Sequence, residues 1–327
     1  MILPLLGFVL GLLLSLLASE VLVTALGRLG GRLRLSAGLL GLLVALGADS
    51  PEISSSVTAT LAGARDVGVG VILGSNLFNL AALLGLSAVI AGRLRFHRAL
   101  LTLDGGVAVA TTAIVALMLF TGLPPIAGVI LMAVVFVPYA FLLAARPQAL
   151  TRLPMPARVN RRIAAVSRLV HGEPAPTEPG RSVKFAWWIP PAIAAIVLGS
   201  YLMVTAALTL GDRWQVSRAV LGTVVLAALT SLPNAYAAVR LAQRRNGPAV
   251  LSEAFNSNTL NLLAGISLPA LVLGGLQNTR AAGSSLAWLL GMTLVAIALG
   301  YPRHDLSRRA GLLLIGIYAA FLVFAVR

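Results

Sequence analysis

The chain has 327 residues, of which 58% are hydrophobic and only 11% charged, with a mean hydropathy of +0.94. A soluble domain is about half apolar and about a quarter charged, so this composition excludes one and places the chain in the membrane class. With no cysteine, disulfide, thiolate–metal and cysteine-nucleophile chemistry are closed, and the net charge of +15 sits as arginines in short loops between apolar runs, which argues against nucleic acid.

Crossing the hydrocarbon core takes about 20 apolar residues in a helix. Runs of that size lie near 2–26, 36–61, 67–92, 99–121, 124–145, 186–210, 217–242, 248–275, 284–301 and 309–326. They are continuous rather than alternating, so they predict helices and not a β-barrel. The first twenty residues end in small side chains like a secretory signal. They lack a basic start, and the apolar run continues to about Leu26, so a retained first span is expected.

The loops predict direction. Arg28, Arg32 and Arg34 follow the first span; Arg93, Arg95 and Arg98 follow the third; Arg240, Arg244 and Arg245 follow the seventh; Arg303, Arg308 and Arg309 follow the ninth. The fifth loop, from Arg146 to Lys184, carries eight basic and two acidic residues, whereas the even-numbered loops are nearly neutral. By the positive-inside rule the odd loops are cytoplasmic and both termini outside. The expected location is the plasma (inner) membrane. The fifth loop also divides the chain into a five-span half at 1–146, a basic linker at 147–184 and a second five-span half at 185–327. Within the linker, Val159, Ile163, Val166 and Val170 fall at helical spacing opposite Arg158, Arg161, Arg162 and Arg168. An amphipathic helix over 157–170 on anionic lipid is expected.

An internal repeat joins the halves. The first copy is GADSPE at 47–52 and GSNLFN at 74–79; the second is LTSLPN at 229–234 and NSNTLN at 256–261. Pro51 to Ser75 and Pro233 to Ser257 are both 24 residues, and Asn76 and Asn79 match Asn258 and Asn261 without a gap. The copies start on opposite sides of the membrane, so the repeat is inverted. Inverted repeats with broken helices place a transporter's site where they meet, near the midplane. The fold expected is an all-α integral membrane protein of ten transmembrane helices in two inverted five-helix halves. Each proline frees a carbonyl one turn back, which in lipid must find a partner; a bound cation is the partner expected.

This pattern resembles the alpha repeats of the sodium/calcium exchanger superfamily of cation antiporters, and the N-outside layout with a cytoplasmic central loop is similar too. The resemblance puts Glu52 at the family's ion-binding glutamate and Ser75 and Asn79 at its partner-helix ligands. In the second copy Thr230 and Ser231 match a hydroxyl pair that helps hold sodium, and Ser257 matches Ser75. Several positions depart from the pattern. Asn234 stands at the second glutamate and Asn261 where some members have a further acid. Ala48 and Asp49 replace the hydroxyl pair of the first copy. Leu229 and Asn256 replace glycines, and Val71 and Glu253 take a position that is often asparagine. The ligand set is thus rearranged, with one acid lost and Asp49 and Glu253 added.

Hard cations take oxygen ligands. Asp49 and Glu52, three apart, share a helix face, as do Glu253 and Ser257, four apart. Three carboxylates in one cavity cannot all stay ionised without a cation, so protons and metal compete for them. The metal-ligand candidates are therefore Asp49, Glu52, Ser75, Asn79, Thr230, Ser231, Asn234, Glu253, Ser257 and Asn261, with Asn76 and Asn258 as further neutral donors. Asp104 and Glu20, toward span ends, read as interface residues, and the Ser54–Ser56 run as a close-packing surface. The expected function is a secondary cation antiporter exchanging calcium or a related cation for sodium or protons, without cofactor and without enzyme activity. The alternatives are a monovalent cation/proton exchanger and a non-transporting membrane scaffold or sensor. The expected partners are inorganic cations and the bilayer, with the chain acting as a monomer.

Overall fold

A computed structural model describes residues 2–33, 35, 37–145, 183–273 and 280–326. The linker helix expected over 157–170 lies outside the described residues. In chain order the helices are α1 (Ile2–Arg32), α2 (Ala37–Ala48), α3 (Ser50–Leu61), α4 (Arg65–Ala91), α5 (Arg98–Phe120) and α6 (Pro125–Ala144). A 3₁₀ turn at Val183–Trp188 leads into α7 (Ile189–Trp214), followed by α8 (Arg218–Thr230), α9 (Leu232–Gln243) and α10 (Gly247–Leu260). The last three are α11 (Leu268–Leu273), α12 (Arg280–Gly300) and α13 (Arg308–Val326).

Seven of these are long and apolar enough to cross a membrane alone, and α8 with α9, bent by 44°, forms an eighth span. The remaining two of the ten are also composite. Span two is α2 and α3, broken at Asp49, and span eight is α10, a π-helical stretch at Asn261–Ser267, and α11. Each broken span carries one of the repeated polar motifs. A second π-helical stretch at Leu80–Leu86 follows the first motif inside α4, so the repeat is shared in backbone as well as sequence. Such bulges are frequent at functional sites.

Burial sorts the helices into layers. Of the apolar stretch of α4, 89% is buried, against 22% for α1, α6 and α13. The outer helices present large apolar side chains such as Leu10, Leu17, Val134, Val197 and Phe324 outward, the surface a lipid-facing shell requires. The main core joins α4, α5, α10, α12 and α13 around Leu77, Leu83, Leu101, Phe255, Leu289 and Leu314. The loops after the third and ninth spans pair as a short antiparallel ribbon, β1 (Arg93–Arg95) with β2 (Asp305–Ser307), in the register Arg93↔Ser307. This ribbon places both loops at one end of the bundle, and Arg93 bonds Asp305 across it at 3.5 Å. The Ser54–Ser56 run packs closely, as expected: Ser56 Oγ donates to Gly265 O at 2.9 Å and Ser55 reaches Ser200 on α7.

Gly74 shows how tightly the halves interlock. A Cβ there would strike the backbone carbonyl of Thr223 on α8. Backbone cannot step aside as a side chain end can. Gly74→Ala is therefore expected to lower stability by about 1–3 kcal/mol, the usual cost of overpacking, seen as a reduced melting temperature of the purified protein. An unchanged melting temperature would mean the halves are more loosely joined than this contact implies.

Candidate functional site

Spans two and seven break at repeat-related single residues. Asp49 has φ −80° and ψ −5°, and Ser231 has φ −87° and ψ −1°, both in the sparsely populated bridge region. Each lies two residues before a proline. A proline cannot continue a helix without clash and a lost N–H, so Pro51 and Pro233 each open a new helix in its first turn. The carbonyl that Pro51 leaves without a backbone donor, Gly47 O, accepts from Ser19 Oγ of α1 at 3.0 Å. In the first copy a neighbouring hydroxyl thus meets one lone pair of the carbonyl for which a cation was expected.

Asn234 joins the two acids. Its Nδ2 donates to Asp49 Oδ1 at 2.8 Å and to Glu52 Oε1 at 3.2 Å. Ser231 Oγ donates to the same Glu52 oxygen at 2.9 Å, and Ser257 Oγ donates to Asp49 Oδ1 at 2.6 Å. Asn79 Nδ2 donates to Ser257 Oγ at 2.8 Å. One connected network therefore runs from α4 through α10 to the Asp49 break, then through α9 to α3. The asparagines of the two copies also meet: Asn76 Nδ2 donates to Asn258 O at 3.1 Å, and Asn261 Nδ2 donates to Asn76 Oδ1 at 3.0 Å. All of these side chains are buried.

The network uses only half of the oxygens. Asp49 Oδ2, Glu52 Oε2, Asn79 Oδ1, Asn234 Oδ1, Asn258 Oδ1 and Asn261 Oδ1 are buried without a hydrogen-bond partner. Native interiors leave few such atoms, and here six acceptors gather on the repeat motifs. Among the described residues no Arg or Lys pairs with these carboxylates, and the ion pair found there is Arg93 with Asp305. Each acid thus has one oxygen held in place and one left to bind something else.

The other expected residues are placed less centrally. Thr230 Oγ1 donates to Leu226 O at 2.9 Å in its own helix, and Ser75 Oγ donates to Ala227 O at 3.4 Å; both are buried beside the network without a bond into it. Glu253 keeps Oε2 buried and unpartnered and lies near enough to Asp49 for their charges to interact. Among the described residues no three His, Cys, Asp or Glu side chains form a group able to hold a metal by themselves. A cation here would have to draw on amide and hydroxyl oxygens as well as acids.

Asp104 requires a correction. Its position near the start of its span suggested an interface residue, but the carboxylate is buried. Oδ1 accepts from Tyr139 of α6 at 3.0 Å, and Oδ2 accepts from Ser252 of α10. The distance of a residue from a span end says nothing of what packs beside it, and the only signal available was an acid inside an apolar run. Glu20 is exposed on the bundle surface.

The sodium/calcium exchanger protein family profile matches residues 3–145 and 184–327, nearly the whole chain. The chain belongs to the sodium/calcium exchanger family. It is a family of transporters rather than enzymes, and its members are integral membrane proteins. The chain is 24% identical over 319 residues to the inner membrane protein YrbG of Escherichia coli, covering 96% of this chain and 94% of that one. It is 27% identical over 143 residues to sodium/potassium/calcium exchanger 2 of Gallus gallus, covering 41% of this chain and 22% of that longer one. In fold it resembles the sodium-calcium exchanger NCX_Mj, in crystals soaked with sodium and strontium, with a TM-score of 0.65, 22% identity and 98% of each chain covered. That architecture is ten helices in two repeats.

Asn234 stands where the second glutamate is expected, and Asp49 lies within 2.8 Å of its amide. Asp49, at the break in span two, is the acid that meets Asn234.

Proposed function

We propose that this chain is a secondary cation antiporter that exchanges calcium or a related cation for sodium or protons by alternating access. Its ion site lies between the inverted repeats, near the midplane. The observation that carries the reading is the set of six buried, unpartnered oxygens on α3, α4, α9, α10, the π-helical stretch that follows it and the Asp49 break. They match the oxygen preference of hard cations. Ser231, Asn234 and Ser257 hold Glu52 Oε1 and Asp49 Oδ1 in position, so the free oxygens Oε2 and Oδ2 are presented in fixed geometry. Asn79, Asn234, Asn258 and Asn261 supply neutral carbonyls, which bind without adding charge and so permit release. Glu253 adds a third acid on α10, and Ser75 and Thr230 line the same region. Protons and a cation cannot both occupy the free carboxylate oxygens, and this competition makes the transport an exchange.

In the orientation proposed, both termini lie outside and the basic linker at 147–184, between the five-span halves 1–146 and 185–327, is cytoplasmic, with its 157–170 segment on anionic lipid. Pairing of the third and ninth loops in one ribbon supports placing those two arginine-bearing loops on one side. The inner membrane is the location proposed, as in the named description of the Escherichia coli relative.

The test is calcium flux into proteoliposomes under an imposed sodium gradient and, separately, a proton gradient. Uptake that follows one gradient names the driving ion. A second reading, exchange of monovalent cations or protons, is favoured by one feature: Asn234 replaces an acid, leaving less charge opposite Glu52. Sodium or potassium flux without calcium flux would select it. No flux of any of these ions would overturn the antiporter and leave a non-transporting scaffold.

A further inference from the structure

A second polar cluster lies outside the hydrogen-bond network of Asp49 and Glu52. Asp104 on α5, Tyr139 on α6, and Ser252 and Asn256 on α10 are bonded together toward the end of the bundle that carries the β ribbon. Asp104 is about 9 Å of helix from the start of α5. Tyr139 Oη is within hydrogen-bond reach of both Asp104 Oδ1, at 3.0 Å, and Asn256 Oδ1. Ser252 Oγ donates to Asp104 Oδ2. Asp104, Tyr139 and Asn256 are buried, and Ser252 is partly so.

The protons do not add up for an ionised Asp104. Three oxygens in a row, Asp104 Oδ1, Tyr139 Oη and Asn256 Oδ1, need two protons between them, and a tyrosine hydroxyl supplies one. A proton on Asp104 completes the row: Oδ1–H donates to Tyr139 Oη, and Tyr139 O–H donates to Asn256 Oδ1. Turning the Asn256 amide so that Nδ2 faces Tyr139 would also satisfy the count. That arrangement leaves a charged carboxylate buried in the bundle with two neutral donors and no cation. Buried intramembrane charge is expensive without a partner.

Among the described residues the surroundings offer none. The titratable side chain from α6 is Tyr139 itself, and α10 brings Glu253, an acid, beside Ser252. The Asn261–Ser267 stretch brings none. From α12 there is only Arg280, about 25 Å of helix from Ile297, whose side chain lies against Gly105. The site also breaks the internal symmetry. Asn256 occupies the repeat position of Gly74, where the first copy has bare backbone contact with Thr223. The second copy replaces that contact with a polar side chain reaching Tyr139.

We propose that Asp104, Tyr139, Ser252 and Asn256 form a second, buried proton site, distinct from the Asp49–Glu52 cavity, whose occupancy ties α10 to α5 and α6. When the proton leaves, the Tyr139 hydroxyl must donate to Asp104, and α10 keeps its tie to α6 only if the Asn256 amide turns to donate to Tyr139. Because α10 also carries Glu253 and Ser257, deprotonation at this site changes how the exchange cavity is held. The coupling to exchange rests on the antiporter reading; the proton site itself does not.

The test is infrared difference spectroscopy of the full-length protein in lipid across a pH titration. A carbonyl band of a protonated buried carboxyl is expected in the wild type. It should disappear in Asp104→Asn, shift in Tyr139→Phe, and persist in Glu52→Gln and Asp49→Asn. No band removed by Asp104→Asn would overturn the proton site and mean that the Asn256 amide faces Tyr139. Asp104→Asn keeps a neutral donor toward Tyr139, so the fold should hold, as checked by its melting temperature. In proteoliposomes, wild-type exchange should change as pH rises through the range where the band disappears, while Asp104→Asn keeps the acid-side rate within about two-fold. An unaltered pH profile in Asp104→Asn, with the band lost, would overturn the coupling alone. Absence of exchange in the wild type would overturn the antiporter and leave the infrared result standing.

Discussion

Glu52→Gln is expected to abolish gradient-driven cation exchange while leaving the fold in place. Glu52 is fully buried, and its Oε1 accepts from Ser231 and Asn234. A glutamine keeps that acceptor, so both donors remain satisfied. What it loses is the charge and the free acceptor at Oε2. Losing one partner of a buried charge pair costs about 3–5 kcal/mol, which for a bound cation is about 100- to 3,000-fold in affinity. Stability without cation should move the other way or not at all, because a buried carboxylate without a basic partner is costly. Two measurements separate site from scaffold. Calcium should raise the melting temperature of the wild type, since a ligand that binds only the folded state stabilises it, and should leave Glu52→Gln unmoved. Flux in proteoliposomes should fall to background. A mutant that melts normally, still responds to calcium and still exchanges would remove Glu52 from the site.

Much of this architecture is legible from the chain. The ten apolar runs match the helices to within a few residues at most ends, because lipid imposes a length that soluble folds do not. The inverted repeat is legible because two proline–asparagine motifs keep the same 24-residue interval. Sequence spacing treated Asp49 and Glu52 as neighbours on one continuous helix. In the structure the helix breaks at Asp49, and Asn234, 182 residues beyond Glu52, brings the two acids together. No local pattern contains that contact. The same limit explains Asp104, whose partners Tyr139 and Ser252 lie 35 and 148 positions away. It also explains Ser19, which meets the carbonyl freed by Pro51 from another helix. Helices are written in local periodicity, whereas the bonds between them depend on how the bundle closes.

Moving a carboxylate across the cavity should rescue what removing it destroys. Asp49→Asn is expected to weaken cation binding by about 100-fold or more, by the same loss of buried charge. Asn234→Asp alone sets a third acid against Glu52 Oε1 and Asp49 Oδ1, which the native amide reaches at 3.2 and 2.8 Å. Two N–H donors vanish and like charges face each other at close range, so this variant should fold less stably in the absence of cation. The double variant Asp49→Asn with Asn234→Asp conserves charge and the hydrogen bond between positions 49 and 234, leaving Ser231 as the donor to Glu52 Oε1. The amide at position 49 can donate to the acid at 234, reversing the native pair, and Ser257 can still donate to an oxygen at 49. It also restores an acid on α9, where the exchanger motif has its glutamate. Binding should therefore recover beyond the sum of the single effects, with a coupling of about 1–3 kcal/mol, read from calcium-dependent melting of all four proteins. Strict additivity would show that Asp49 does not take the place of the missing glutamate. The extra acid would then serve the entrance to the cavity rather than the ion.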